Sequence, residues 1–235
     1  MSDKSKNEIY YNSLDVNARQ RHRDIVYDKR SLGICEDIIG SIIQRIKVDE
    51  PIRWLDVGCG VGRSCEILKK ISAIYTGVDI SEANIQACSR KYNHNFLCGD
   101  FITMPIEEKF HLVTFFSSLH HFPDWKAAIE KALSLIDKKG ALYIEHEPMR
   151  LVSKLYLYSL HMRYKPGLLT TLRDIEIHNM AKPTILPKEL PEGSTQYHSD
   201  FVPFFRKLNL RTTNSTLGYF FPHYRKIIII DKAVK

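Results

Sequence analysis

The feature that most constrains this chain is the stretch Trp54–Arg63, which reads WLDVGCGVGR. Trp54–Val57 has the composition of a buried strand, and the residues after the glycines predict a helix over 64–70. Three glycines stand at alternate positions between them: Gly58, Gly60 and Gly62. They allow a sharp turn and let a ligand approach the main chain, while the N–H groups at the helix start favour an electron-rich group. The stretch therefore predicts a nucleotide-type site.

The surrounding sequence alternates between strand-like and helix-like segments. Apolar residues at helical spacing predict a helix over 31–47, and Ser81 and Asp124 are suitable N-caps for two more. The predicted helices are 82–92 and 125–136, and the predicted strands are 54–57, 74–79, 95–98, 111–117 and 141–145. This alternation is typical of a doubly wound α/β sheet with helices on both faces.

The alternation stops after Pro148. Residues 149–195 are rich in proline and glycine, with helix-like pieces at about 150–163 and 170–181. Insertions of this length after a strand commonly cover a binding site, so we predict a helical lid. A helix at 199–207 then leads to two antiparallel strands at about 210–217 and 225–231. We predict one domain over 1–235, with a helical N-terminal cap over 1–50.

Composition excludes several classes of protein. No stretch approaches the roughly 20 apolar residues of a membrane span, and the first 12 residues show no signal peptide, so we expect a cytoplasmic protein without membrane insertion. The five cysteines form no Cys-x-x-Cys pair, which favours free thiols. Residues 150–235 hold 14 basic and 6 acidic side chains, compatible with an anionic substrate, a nucleic acid or simple solvation. We expect a monomer or a homodimer.

Two familiar nucleotide sites do not fit the glycine turn. A phosphate-binding P-loop requires Lys where Arg63 stands. The dinucleotide fingerprint requires its third glycine at this same position, one residue after Gly62. Asp79 lies at the end of the second predicted strand, where several nucleotide-binding folds place a ribose-binding acid, and it does not discriminate between them.

Four motifs in order resemble the class I S-adenosylmethionine-dependent methyltransferases over residues 52–147. They are Asp56-x-Gly58-x-Gly60-x-Gly62, Asp79, Gly99-Asp100-Phe101 and Ser118-Leu119-His120-His121-Phe122. The resemblance implies a Rossmann-like, three-layer αβα fold with seven strands, the last of them antiparallel. One position departs from the family, because the fourth strand commonly begins Phe-Asp-x-Val and here His111 replaces the Asp.

The resemblance also implies the cofactor, S-adenosyl-L-methionine, and its product, S-adenosyl-L-homocysteine. Asp56 would organise the turn and help hold the methionine part, and Asp79 would accept both ribose hydroxyls. Ile80 would lie against the adenine, Asp100 would accept from its amino group, and the N–H of Phe101 would donate to its ring. The remaining expected cofactor contacts come from Gly58, Cys59, Gly60 and Ser117.

Candidates for catalysis lie after the fourth and fifth strands, where a general base would meet an acceptor. They are His120, His121, Glu145 and His146. We do not expect Glu145, His146 and Glu147 to share a metal ion, because neighbouring residues of a strand point to opposite faces of the sheet. Candidate substrate contacts are Tyr11, Glu147, Tyr156 and Arg163.

We therefore predict methyl transfer to a small-molecule acceptor at N, O or C, with an anionic or aromatic acceptor favoured. Residues 117–120 lack the Asn-Pro-Pro-Tyr type of signature by which amino-methylating enzymes grip a flipped base. Two alternatives stay open: an RNA or protein methyltransferase using the basic C-terminal third, and a non-catalytic binding protein of the same fold.

Overall fold

The computed structural model describes residues 8, 9, 12, 29–148, 212–216 and 224–230. The described part holds three α-helices and seven strands. The helices are α1 (Lys29–Ile46), α2 (Glu82–Lys91) and α3 (Trp125–Leu135). The strands are β1 (Ile52–Val57), β2 (Ala73–Asp79), β3 (Asn95–Cys98), β4 (Phe110–Phe116), β5 (Ile136–Pro148), β6 (Thr212–Thr216) and β7 (Tyr224–Ile230). Two short 3₁₀ helices cover Ser64–Lys70 and Leu119–His121.

The strands join in the order β3-β2-β1-β4-β5-β7-β6. Strands β1 to β5 pair in parallel, which confirms the predicted α/β class with a parallel sheet. The backbone of β7 runs antiparallel to both β5 and β6. Strand order reverses at β1, since β2 lies on one side of it and β4 on the other. Such a reversal opens a crevice at the carboxyl ends of the strands.

Alternation along the strands divides the core between the two faces of the sheet. Leu55 and Val113 pack on the same face as α3, whereas Trp54 and Leu112 pack on the face that α1 covers. All seven residues of β4 are buried, as expected for a parallel strand covered on both sides. Helix α1 buries its regularly spaced isoleucines, which confirms the helix predicted over 31–47.

Two predicted elements are corrected by the structure. Residues 64–70 form a 3₁₀ helix, with the N–H of Glu66 donating to the carbonyl of Arg63 at 3.1 Å. The buried Ser64 at its start is tied to the sheet through Asp56, which fixes the chain close to β1. Helix α3 ends at Leu135, and β5 begins at Ile136 rather than at 141.

Gly140 explains the early start of β5. A Cβ on this residue would lie 2.9 Å from the carbonyl oxygen of His111 and 3.0 Å from that of Phe110. Only glycine permits this approach, so the residues that resemble a helix terminator instead pass alongside β4. The register between the two strands shifts at this point, between Phe110 and Leu112.

His111, at the position where the resemblance leads us to expect Asp, ties β4 to the start of β1. The buried ring accepts a hydrogen bond at Nδ1 from the backbone N–H of Arg53, at 3.1 Å. Nε2 of the same ring lies 3.0 Å from a terminal guanidinium nitrogen of Arg53 and 3.2 Å from Oε1 of Glu50. Arg53 also contacts Asp137 at 3.2 Å. The departure from the family is thus compensated locally, at the amino ends of β1 and β4 and away from the glycine turn.

Several predicted elements fall outside the described residues. These are the lid over 149–195, the helix at 199–207 and half of the cap over 1–50. Among the described residues, no helix is long and apolar enough to cross a membrane. The five cysteines are thiols rather than disulfides, as expected, and Cys98 is exposed whereas the other four are buried.

Candidate active site

The glycine turn lies at the carboxyl end of β1, at the crevice where strand order reverses. The N–H groups of Gly58 and Cys59 both donate to the carbonyl of Val78, at 2.8 and 3.0 Å, which ties the turn to β2. Gly58, Gly60 and Gly62 have φ angles of 72°, 54° and 79°. Glycine adopts this left-handed backbone conformation at little energetic cost, unlike other residues. The conformation therefore explains why glycine stands at three alternate positions.

The three glycines face different surroundings. A Cβ at Gly58 would lie 2.5 Å from Cβ of Ser118, and one at Gly62 would lie 2.6 Å from the ring of Tyr92. A Cβ at Gly60 would meet no atom of the described residues within 4 Å. Two glycines therefore permit protein packing, while the third leaves backbone open beside the crevice. This arrangement fits a ligand that lies against Gly60.

Asp79 closes the crevice from the end of β2. Its Oδ2 accepts a hydrogen bond from the N–H of Gly60 at 2.8 Å, which joins it to the glycine turn. Its Oδ1 accepts from the N–H of Ser81 at 2.8 Å and from the amide of Asn84 at 3.1 Å. Ser81 also caps α2, as predicted. These contacts hold the carboxylate at the turn, where hydroxyl groups of a ligand at Gly60 would approach it.

Asp56 lies beneath the turn, fully buried. Its Oδ2 accepts from the hydroxyls of Ser64 and Tyr75, at 2.5 and 3.0 Å, and its Oδ1 accepts from Thr114 at 2.8 Å. The hydroxyl of Thr114 in turn accepts from the indole N–H of Trp54 at 2.9 Å. Burial raises the pKa of Asp56 to about 6, although the three hydroxyls oppose the shift. The structure thus places Asp56 in a network that supports the turn.

Cys59 contributes its backbone to the turn. A hydrogen bond with Cys88 and burial raise the pKa of the Cys59 thiol well above its ordinary value. The thiol of Cys88 contacts the carbonyl of Gly60 at 3.2 Å. Both sulfur atoms therefore pack against the turn.

The loop after β3 forms a second wall. Asp100 accepts at Oδ1 from the N–H of Ile102 and at Oδ2 from the hydroxyl of Thr103, both at 3.1 Å. Its carboxylate therefore shapes a single helical turn. Phe101 is buried edge-to-face against Phe115 and Phe122, with ring centroids 6.1 and 6.4 Å apart. The loop lies next to Asp79, because the N–H of Gly99 donates to the carbonyl of Asp79 at 2.9 Å. This place and the packing of Phe101 suit the loop to bind a flat ring.

The end of β4 brings Ser117, Ser118 and the two histidines beside the glycine turn. Ser117 has a φ of 52°, a conformation that costs a non-glycine residue of order 1 kcal/mol. Ser118 donates to the carbonyl of Val57 at 2.6 Å, joining β4 to β1. His120 is buried and His121 half-buried, with ring centroids 3.9 Å apart. The two rings are tilted by 49° to each other and belong to a 3₁₀ helix that follows Ser117.

For the other predicted site residues, the structure gives fewer contacts or none. Ile80 is half-buried after β2, and Glu145 pairs with Phe116 at the end of β4. The backbone of His146 and Glu147 lies in β5, at a register shift opposite β7. The predicted substrate contacts Tyr11, Tyr156 and Arg163 lie outside the described residues. Among the described residues, no group of three or more His, Cys, Asp or Glu is arranged to hold a metal ion.

Sequence reasoning missed the residues that hold the two acids. Asn84 fixes Asp79, and its position three residues after the cap Ser81 was a usable signal. The partners of Asp56 gave no such signal, because Tyr75 and Thr114 lie 19 and 58 residues from it in the chain.

Comparison with known proteins agrees with this geometry. Residues 55–144 match the family described as methyltransferase domain. The chain is 35% identical over 112 residues to a ubiquinone biosynthesis O-methyltransferase of Coxiella burnetii, covering 45% of this chain and 47% of that protein. A protein of the same name from Rhodopseudomonas palustris is 28% identical over 100 residues, covering 40% of each chain. The chain thus spans about half the length of the curated relatives it matches.

Solved structures share the fold over nearly the whole chain. Magnesium protoporphyrin IX methyltransferase from Synechocystis PCC 6803, with bound S-adenosylhomocysteine, superposes with a TM-score of 0.67 at 17% identity, covering 98% of this chain and 100% of that one. The plantazolicin methyltransferase BpumL in complex with a triazolic desmethylPZN analogue and S-adenosylhomocysteine gives a TM-score of 0.70 at 15% identity, covering 97% of this chain and 96% of that one. Residues 55–144, which hold the glycine turn, Asp79 and the two histidines, therefore match the methyltransferase-domain family and lie in a fold that methyltransferases solved with S-adenosylhomocysteine share.

Proposed function

We propose that this protein transfers a methyl group from S-adenosyl-L-methionine to a small-molecule acceptor, with a hydroxyl oxygen as the leading acceptor atom. The observation that carries the proposal is the pairing of Asp79 with the open backbone of Gly60, at 2.8 Å. It joins a carboxylate suited to ribose hydroxyls to a turn that admits a ligand. The preference for oxygen comes from the O-methyltransferase relatives.

The cofactor supplies an electrophilic methyl group on a cationic sulfur, and this chain's residues would hold and orient it. Asp79 would accept the ribose hydroxyls, while Ile80, Asp100 and the N–H of Phe101 would receive the adenine. Gly58, Cys59 and Gly60 would place backbone against the methionine part, and the Asp56 network would keep that backbone in position. Ser117 would lie at the floor of the site.

The acceptor would enter at the ends of β4 and β5. Methyl transfer is an in-line displacement in which positioning and desolvation supply most of the acceleration. Either His120 or His121 would accept the proton that a hydroxyl acceptor loses, with Glu145 or His146 as the alternative base. Tyr11, Glu147, Tyr156 and Arg163 are the proposed acceptor contacts, and an Arg among aromatic groups suits an anionic aromatic molecule.

The wider architecture belongs to the same proposal. We infer that the chain forms a single domain in which β6 and β7 complete the seven-stranded methyltransferase sheet. Residues 149–195 would form a helical lid over the acceptor, and residues 1–50 a cap over the cofactor. One contact supports a role for the cap, since Ser81 beside Asp79 donates to Oδ1 of Asn12 at 2.9 Å. We propose a cytoplasmic monomer or homodimer that acts without nucleic acid or membrane insertion.

Two measurements test the proposal in sequence. Calorimetry with S-adenosylhomocysteine should give a saturable 1:1 isotherm, and the absence of binding by the wild-type chain would refute the cofactor. Mass spectrometry should then detect a gain of one methyl on hydroxylated aromatic acids, with a structured RNA and a lysine-rich peptide as comparison substrates. Binding without transfer to any class would favour the non-catalytic alternative, and methylation of the RNA or peptide alone would overturn the small-molecule assignment.

A further inference from the structure

Lys131 on α3 donates hydrogen bonds to the loop that follows β3. The ammonium group of Lys131 donates to the carbonyl of Ile102 at 3.2 Å and to that of Met104. The same group lies 5.2 Å from the centroid of the Phe101 ring. One cation therefore contacts Phe101, Ile102 and Met104 of the same loop.

Lys131 and Asp100 hold opposite ends of a single helical turn. Asp100 occupies the amino end, where its carboxylate accepts from Ile102 and its carbonyl accepts from the N–H of Met104 at 2.8 Å. Lys131 occupies the carboxyl end, where a cation stabilises carbonyl groups that lack partners within the turn. The turn is too short to be stable alone, so its shape depends on these two side chains.

The electrostatics agree with this geometry. Burial lowers the pKa of Lys131, while the nearby Asp100 carboxylate opposes that shift. The ammonium thus gives up part of its hydration for the two carbonyls and the Phe101 ring. Such a group stabilises one loop conformation in preference to others.

We propose that Lys131 is a positioning residue that sets selectivity for the adenine amino group. The inference rests on the proposed function, since it assumes that Asp100 and Phe101 receive the adenine. Lys131 would not touch the cofactor. It would hold the backbone of Phe101 and the carboxylate of Asp100 where an amino group can donate and a ring nitrogen can accept. Without the ammonium, the loop would relax and discrimination between purine bases would decline.

The test compares S-adenosylhomocysteine with S-inosylhomocysteine, in which a carbonyl replaces the amino group. Calorimetry gives the ratio of the two dissociation constants for the wild-type chain, Lys131→Met and Lys131→Arg. Lys131→Met keeps the apolar stem and removes the charge, and Lys126→Met is the matched control, because Lys126 lies on the same helix over Trp125. Circular dichroism establishes that each variant is folded, and Lys131→Gln replaces the Met variant if that one is not.

The inference predicts that the wild-type preference for the amino compound falls about tenfold in Lys131→Met, returns in Lys131→Arg and is unchanged in Lys126→Met. A merely structural role would weaken both ligands equally and leave the ratio unchanged, and that result would overturn it. Failure of the wild-type chain to bind either ligand would instead refute the proposed function. Wild-type selectivity that persists in Lys131→Met or Lys131→Gln would refute the role of Lys131 alone.

Discussion

The buried carboxyl of Asp56 makes the stability of the domain depend on pH in a specific way. Its pKa is raised from 3.8 to about 6, chiefly by burial. Such an acid binds its proton more tightly in the folded chain than in the unfolded one. Its contribution is therefore greatest at low pH and is lost as pH rises through the folded pKa. The full loss corresponds to about 3 kcal/mol.

Asp56→Asn removes the titration and preserves the shape of the side chain. Between pH 4.5 and 7, the free energy of unfolding of the wild-type chain should fall by roughly 2 kcal/mol relative to that of the variant. Urea unfolding followed by circular dichroism, at half-unit pH steps in one buffer series, gives this difference directly. Other acids titrate in both proteins and cancel, including Glu66, whose lowered pKa of about 2 places its effect at lower pH.

A difference that stays constant from pH 4.5 to 7 would show that Asp56 ionises normally. The hydrogen bonds from Ser64, Tyr75 and Thr114 would then offset the effect of burial in full, and the raised pKa of Asp56 would be wrong. A difference that grows in favour of the wild type as pH rises would contradict the sign itself. Asp137→Asn, at an exposed carboxyl near the opposite edge of the sheet, is the control for a general effect of removing one negative charge.

Two further pairs of substitutions test the glycine turn and the contacts of His111. Gly58→Ala should lower the free energy of unfolding by about 2 kcal/mol or more, because its Cβ would meet Ser118, and thermal unfolding measures this. Gly60→Ala should cost only about 1 kcal/mol of backbone strain, yet calorimetry should show a larger loss of S-adenosylhomocysteine affinity than stability. His111→Ala should lose about 1–3 kcal/mol in urea unfolding by leaving the N–H of Arg53 unsatisfied, while His111→Asn, which retains an acceptor, should lose less. Equal effects within either pair would contradict the corresponding assignment.

Local patterns in the sequence predicted the parts of the fold that depend on local chemistry. The isoleucine spacing located α1, the caps Ser81 and Asp124 located the starts of α2 and α3, and the glycine spacing located the left-handed turn. Each of these signals arises from residues within a few positions of one another. The same is true of Asp79, whose place at the end of β2 follows from where the apolar run stops.

Contacts between distant residues decided the rest. The start of β5 depends on the close approach of Gly140 to the carbonyls of β4, which no helix-terminating pattern reveals. The 3₁₀ helix after the glycine turn depends on a buried hydrogen bond from Ser64 to Asp56. The hydrogen bond from Lys131 to the carbonyl of Ile102 joins residues that are 29 positions apart in the sequence. Tertiary packing of this kind overrides local propensity and has no local sequence signature.

The most direct test of the proposed cofactor site is whether Asp79 binds the ribose of the cofactor. Calorimetry on the wild-type chain and Asp79→Asn, each with S-adenosylhomocysteine and its 2′,3′-dideoxyribose analogue, forms a double-mutant cycle. We expect the variant to lose at least tenfold in affinity for S-adenosylhomocysteine, about 1.4 kcal/mol, and we expect removal of the hydroxyls to cost the variant much less affinity than the wild type. Equal losses on removing the hydroxyls in both proteins would contradict it, because Asp79 would then act only through Gly60 and Asn84.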